Sequence, residues 1–325
     1  MFRYVVRRLL YAIPVLVIAS VLVFVVIYNT QHPLQALYQN PRIRPADVKR
    51  LAHQLGLDKT GWQLYTTWLL HFLRGEWGSS LITQRRVAPD IVQALANSVV
   101  LGLVGTAIAL IFGVAIGVYS ALHQYSTFDH ISTTGAFVAL SIPNFWFAVL
   151  LQIFFGLYLT RWFHLSHPFL PVAGINTPGT FGFHLWDRIT HLILPSLVLA
   201  VQILAVYSRY MRASMLDVLH SDYLRTARAK GLRERRVIFR HAMRNALVPV
   251  TTQLAIDIGL IASGLIITEQ VFQYPGMGFY FIQAMQRGDY PEILPWLMIV
   301  VAGVILFNLI ADIMYAVLDP RIRYA

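Results

Sequence analysis

Long apolar runs alternate with short polar stretches along this chain. Six of the runs approach or exceed the roughly 20 residues that a bilayer-crossing helix needs. They lie near Leu9–Tyr28, Asn97–Leu122, Ile131–Thr160, Leu192–Met211, Leu247–Thr268 and Ile293–Leu318. The third is long enough for a helix followed by a kinked or tilted continuation. Pro14, Pro143, Pro195, Pro249 and Pro295 fall at or inside span ends, and each removes a backbone donor, so the freed carbonyls need neighbouring helices. The pattern predicts an all-α polytopic membrane protein whose six transmembrane helices pack together as a bundle.

The opening "MFRYVVRRLLYAIPVLVIASVLVFVVIYN" has the outline of a signal peptide, with Arg3, Arg7 and Arg8 ahead of an apolar run. Leu9 to Tyr28 is 20 uncharged residues, however, too long for the core of such a leader, and no small-x-small cleavage site follows. The stretch reads as a retained first span. Beyond it, Trp62, Tyr65, Trp68, Leu69 and Phe72 recur at helical spacing. They predict an amphipathic helix anchored at the outer interface by its aromatic residues; an aromatic substrate box is the weaker alternative.

Composition agrees with the pattern. Of the 325 residues 57% are hydrophobic and only 13% charged, about half the charged share of a soluble domain. The net charge of +11 is then read against a membrane, where basic residues in short loops stay on the cytoplasmic side. No aromatic-interleaved basic module or zinc spacing accompanies it, so nucleic acid is not an expected partner. With six spans, the N-terminal arginines, the 215–248 loop and the tail "DPRIRYA" share one side, whereas the short loop around 272–292 has a single basic residue, Arg287. Both termini are expected in the cytoplasm. The organisation is then an N-terminal region and first span at 1–28, an extracytoplasmic loop with amphipathic helices at 29–96, and a core of five spans at 97–325 carrying the cytoplasmic loop. There are no cysteines, which removes disulfides, thiolate metal sites and cysteine nucleophiles.

Ionisable residues at membrane depth are the default functional candidates, and few are present. Asp257 lies near the middle of the fifth span, and Arg209 and Arg212 lie at the inner end of the fourth. Glu269 and Asp312 fall near span ends. Asp257 either lines a water-filled path or is paired or protonated at a helix interface. Asn144, Gln253, Gln152 and Gln202 could line a polar path, although each serves equally well as interhelical hydrogen-bonding glue. Asn144, Gln253 and Asp257 are the candidate translocation path. His164, His167, His184 and His191 match no metal-ligand spacing, and no HExxH, GxSxG or glycine-rich phosphate loop occurs. No enzyme is expected, nor any visible means of harvesting energy within the chain.

The stretch "DYLRTARAKGLRERRVIFRHAMRN" gathers eight of the chain's 26 Lys and Arg residues into 24 positions. Ser221 and Asp222 can cap a helix starting at Tyr223, Leu224, Ala227 and Arg228 continue it, and Gly231 suits its C-terminal stop. Arg233 opens a second helix leading to Pro249. Ala227 and Gly231, four apart, form a small face flanked by Tyr223, Arg225 and Lys230, a surface suited to close approach by a partner. Topology and anionic headgroups account for the charge but not for that face.

These residues resemble the cytoplasmic EAA-type loop of ATP-binding-cassette importer permeases, and specifically the B-type permease of the dipeptide, oligopeptide and nickel group. Only Ala227 and Gly231 keep the general Glu-Ala-Ala-x-x-x-Gly consensus, Arg225 and Thr226 replacing its first two places; the downstream Leu-Pro moves to Val248-Pro249, beyond an inserted "HAMRN". Both departures resemble the peptide/nickel branch. "RRLLYAIPVL", "LGLDKTGWQLYTTWL", "GEWGSSL", "SIPNFWFAVLL", "ILPSLVLA", "YSRYMRASMLDVL", "ITEQVFQYPGMGFYFIQAMQRGDYP" and "DPRIRY" extend the resemblance in order over nearly the whole chain.

The resemblance implies the type I ABC importer permease fold (MetI-like) and a multi-pass protein of the bacterial cytoplasmic membrane. It implies half of a translocation pathway for oligopeptides or dipeptides, completed by a second, homologous C-type permease as a heterodimer. An extracytoplasmic binding protein would deliver the substrate. One or two cytosolic ATPase chains would bind ATP and Mg, with no cofactor in this chain. Tyr223, Leu224, Arg225, Thr226, Ala227, Arg228, Ala229, Lys230 and Gly231 would be the ATPase-docking coupling helix. Nickel or another small solute is the alternative within the family. An ion-coupled secondary carrier or channel is the alternative outside it.

Overall fold

The computed structural model describes residues 2–30, 44, 50, 60–180, 182–261 and 264–318. The tail "DPRIRYA" and most of the loop at 31–59 lie outside the described residues. Among the described residues the secondary structure is helical apart from one isolated bridge, Ser79 to Arg86. In chain order the helices are α1 (Phe2–Thr30), α2 (Gly61–Leu73), α3 (Val87–Leu122), α4 (Thr127–Ser141) and α5 (Asn144–Ile153). Then come α6 (Leu185–Leu219), α7 (Asp222–Ala229), α8 (Val248–Ile261), α9 (Ile266–Val271), α10 (Met277–Arg287) and α11 (Tyr290–Leu318). A π turn, Phe154–Tyr158, carries α5 into a short piece, Leu159–Trp162. A second π turn, Val237–Ala242, joins Glu234–Arg236 to Met243–Ala246 ahead of α8.

Among the described residues four segments are long and apolar enough to cross a bilayer: Leu10–Asn29, Val87–Leu122, Asn144–Trp162 and Leu185–Leu219; Val248–Ile261 and Pro291–Phe307 are shorter apolar helices. All six expected runs are therefore helical, with altered bounds. The third run breaks between α4 and α5, because Pro143 forces Ile142 out of the helical region, to φ −81° and ψ 123°. The fourth begins earlier, at Leu185, and passes through Pro195. The fifth is a helix of 14 residues, and helix resumes at Ile266 after Gly264, whose φ is +85°.

The chain divides into two compact units. One holds residues 1–98, 262–266 and 275–306. In it the aromatic face of α2 packs on α1. Tyr65 is 5% exposed, meets Phe24 edge-on at 5.4 Å and shares a 2.7 Å hydrogen bond with the Ser20 hydroxyl. Trp62 stays 68% exposed. Further along, the buried Asp289 carboxylate accepts from the Ser80 hydroxyl at 2.5 Å and from the Leu81 amide at 3.2 Å. The Ser98 hydroxyl accepts from the Met277 amide at 2.7 Å, and the Trp296 indole donates to the Met277 carbonyl at 2.8 Å. Gly264 and Gly278 meet backbone to backbone: a Cβ on Gly264 would lie 2.4 Å from the Gly278 nitrogen, and one on Gly278 would lie 2.5 Å from the Ile266 Cα.

The other unit holds residues 99–261, 267–274 and 307–325. Small residues let α3 and α6 approach closely, the usual solution where lipid removes the hydrophobic drive between helices. A Cβ on Gly117 would sit 2.6 Å from the Ser208 carbonyl oxygen, and one on Gly113 would sit 2.9 Å from the Tyr207 Cβ. The core of this unit runs from Ala109 and Val118 of α3 through Tyr207, Met211 and Met215 of α6 to Leu224, Ala227, Val237, Ala242, Ala246 and Val250. The basic stretch is thus built onto the ends of the long helices.

Candidate functional site

Helix α7 starts at Asp222, one residue earlier than expected, and Ser221 caps it with its backbone only: the Ser221 carbonyl accepts from the Leu224 amide at 3.2 Å. The Ser221 hydroxyl turns back to donate to the Val218 carbonyl at 2.6 Å, closing the last turn of α6. The C-terminal stop is a Schellman motif. Gly231 is left-handed at φ +75°; its amide donates to the Arg228 carbonyl at 2.9 Å, and the Leu232 amide reaches the Ala227 carbonyl at 3.4 Å.

One expectation changes. Leu224, 0% exposed, and Ala227, 8% exposed, form the inward stripe of α7 and join the core. Ala227 and Gly231 therefore do not share an open small face: an i, i+3 apolar pair on an eight-residue helix is claimed by the protein's own interior. The exposed side consists of Asp222, Tyr223, Arg225, Thr226, Arg228, Ala229, Lys230 and the Gly231 turn. The open space around the Gly231 Cβ position, with nothing within 4 Å, leaves that turn accessible to a neighbour.

Two contacts brace this surface. The Arg228 guanidinium donates to Glu234 at 2.9 Å and holds that carboxyl below its usual range. The Asn245 amide donates to the Tyr223 hydroxyl at 2.8 Å. Inward, Leu224 and Ala227 belong to the same core as Met211 and Met215 of α6 and Val250 of α8. Deeper still, the Tyr207 hydroxyl of α6 donates to Asp257 of α8 at 2.8 Å, and the Gln253 amide donates to the same carboxylate at 2.9 Å. Of the two readings for Asp257, the pairing at a helix interface is the one the geometry displays. Asn144 stands at the start of α5, with its amide oxygen buried and unpartnered. No hydrogen bond joins it to Gln253 or Asp257 among the described residues. Gln202 donates to the Ile142 carbonyl at 3.0 Å, which serves the peptide group freed at Pro143.

A second cluster escaped the sequence reading. Arg212 of α6 makes a two-pronged ion pair with the buried Asp129, at 2.6 Å and 2.8 Å. Asp129 also accepts from the Ser120 hydroxyl of α3 and from the Tyr125 amide at 2.9 Å. Arg212 first, with Ser120 and Tyr125 adding, holds the Asp129 carboxyl well below the usual carboxylate range in spite of its burial. The pair ties the adjoining ends of α3, α4 and α6. A signal was present: Ser126 to Asp129 is an S-x-x-[DE] cap, and the Ser126 hydroxyl accepts from the Asp129 amide at 3.2 Å. Arg209, one helical turn back, stacks on Phe137 at 4.5 Å.

Comparison with known proteins gives this arrangement a context. The family model of the binding-protein-dependent transport system inner membrane component matches residues 113–324, and the model of the N-terminal part of such membrane components matches residues 1–101. The chain is 39% identical to the oligopeptide transport system permease protein AppB of Bacillus subtilis (strain 168), over 100% of both chains. It is 36% identical to the dipeptide transport system permease protein DppB of Alkalihalophilus pseudofirmus, again over 100% of both. It is 34% identical to the glutathione transport system permease protein GsiC of Shigella flexneri serotype 5b, over 100% of both.

Proposed function

The chain belongs to the family of binding-protein-dependent transport system inner membrane components, and from that premise we propose that it carries peptides and is driven through α7. It is the multi-pass permease subunit of an ATP-binding-cassette importer of the inner membrane, not an enzyme. Its imported solute is an oligopeptide or dipeptide, the class named for its full-length relatives AppB and DppB. A C-type permease completes the pathway as a heterodimer, and cytosolic ATPase chains bind ATP and Mg. Both termini and the 215–248 loop face the cytoplasm. The division at 1–28, 29–96 and 97–325 follows from that topology.

Residues 223–231 dock on the ATPases. The observation that supports this most directly is the braced, exposed, basic side of α7, whose opposite side is buried in the core shared by α6, the π turn at Val237–Ala242 and α8. Closure of the ATPases would push α7 as one piece with those helices, switching access by a rigid-body movement of packed elements. Ala227 and Leu224 carry the push inward, while Tyr223, Arg225, Thr226, Arg228, Ala229, Lys230 and Gly231 receive it. Asn144, Gln253 and Asp257 remain the candidate path, with Asp257 and Gln253 setting the spacing of α8 against α6.

The test uses the whole importer. Gly231→Leu is expected to insert normally yet to move at least fivefold less peptide per ATP hydrolysed, because a side chain there is strained by about 1–2 kcal/mol and occupies the docking space. A cysteine at exposed position Ala229 is expected to crosslink to an ATPase chain. Unchanged peptide-to-ATP ratios in Gly231→Leu, or labelling of that cysteine from the outer side, would overturn the docking and the topology respectively.

A further inference from the structure

Some 27 residues along α6 from Arg212, or about 40 Å at 1.5 Å per residue, the helix begins at Leu185 in a junction of three elements. The Asp187 carboxylate accepts from the Thr177 amide at 2.9 Å and from its hydroxyl at 2.5 Å. The Gly174 amide donates to the Phe272 carbonyl at 2.8 Å, and the Gln152 amide group bridges the Val172 and Val271 carbonyls at 2.7 Å and 3.0 Å. The loop 172–177 is thereby sewn both to the start of α6 and to the segment that follows α9.

In this well-bonded junction, buried polar atoms stand without partners. The immediate neighbours of the Thr177–Asp187 pair are Asn176 and Arg188; the Asn176 Oδ1 and the Arg188 Nε are both buried and unpartnered, as is the Nε2 of Gln270 on α9. The Arg188 guanidinium makes no hydrogen bond or ion pair among the described residues. Its neighbours are the ring of Phe183, with the guanidinium carbon 5.3 Å from the centroid, and the buried Tyr274, whose phenol is pushed up to about 12 by burial and drawn down by the arginine. Glu269 is within electrostatic reach of the same phenol and is itself engaged. A half-buried cation without a bonded acceptor is costly, and so is a buried amide oxygen without a donor.

The missing complement is therefore an anion that brings an N–H with it. The last residue of a peptide has that form: a carboxylate suited to a guanidinium, and a backbone amide a few bonds away. Resting on the peptide reading above, we propose that Arg188 and Asn176 form a subsite for the C-terminal carboxylate and last amide of an imported peptide, at the end of the pathway far from the coupling helix. The subsite would select for a free carboxyl end independently of side-chain identity, in keeping with a carrier of diverse peptides.

The experiment takes the complete importer in proteoliposomes and compares uptake of radiolabelled trialanine and trialanine amide by the wild type, Arg188→Gln and Arg188→Lys. Arg188→Gln is expected to lose at least tenfold of its trialanine uptake while its uptake of the amide changes less than twofold, and Arg188→Lys should recover part of the loss. Equal losses for both peptides, or no loss for either, would overturn the subsite. So would a weakened affinity of the empty binding protein for Arg188→Gln, which would place the carboxylate on that protein. Should the wild type carry neither peptide, the peptide reading falls and the subsite falls with it; uptake of both by the wild type with no change of preference in the variant removes the subsite alone.

Discussion

Gly278→Val is expected to leave little folded protein, with a loss of about 4 kcal/mol or more, at the far end of what single substitutions do. The added Cβ would lie 2.5 Å from the Ile266 Cα and 2.8 Å from its nitrogen. Backbone cannot step aside as a side-chain tip can, so two chain segments would have to part. The approach is mutual, since Gly264 presses on Gly278 with a left-handed φ of +85° that also disfavours any side chain there. Thermal unfolding in detergent, followed by tryptophan fluorescence, measures the loss. Gly135, which has nothing within 4 Å of its Cβ position, supplies the control: Gly135→Ala should melt at or above the wild-type temperature. Equal melting of Gly278→Val and wild type would show that the two segments are not packed as described.

That contact could not be read from the sequence, and the reason is instructive. Apolar runs report length and burial, so six helices were legible in the spacing of charges alone. Gly264 lies within such a run, and nothing local says that its missing side chain is needed by Gly278, fourteen residues later. Pro143 was legible as a kink because its effect is local. The α7 helix was half legible: its glycine stop follows from Gly231 alone, whereas Ala227 was assigned to an outer face when it belongs to the inner one. Periodicity fixes which residues share a side of a helix but not which side the rest of the protein claims. Asp129 was missed because a single aspartate near a span end looks solvated until its partner 83 residues away is known.

Arg212→Met is expected to cost about 3–5 kcal/mol, the second large effect. The substitution leaves Asp129 buried without its main partner, the situation in which a broken internal ion pair is most damaging. Asp129→Asn in the same chain should recover much of the loss, because it removes the stranded charge while keeping an acceptor for Ser120; no recovery would mean that Arg212 acts by packing alone. Acid provides an independent check on sign. Asp129 has a folded-state pKa depressed below its unfolded value of about 3.9, so its stabilisation is complete above that unfolded value and is lost as pH falls toward the lower folded one. The wild-type melting temperature should therefore drop on acidification below about pH 4, and Asp129→Asn should flatten that component of the acid limb.

The π turn at Val237–Ala242 bears on how a push at α7 could be converted into motion. Such a turn holds one residue more than an α turn, and each residue of an α-helix turns the chain by about 100°. If the surplus residue were taken up or moved along, everything on one side would swivel by that angle while the chain stayed continuous. A segment that ends in Ala246 and runs into α8 is thus a screw thread with spare pitch: a short axial stroke at one end can leave as rotation at the other.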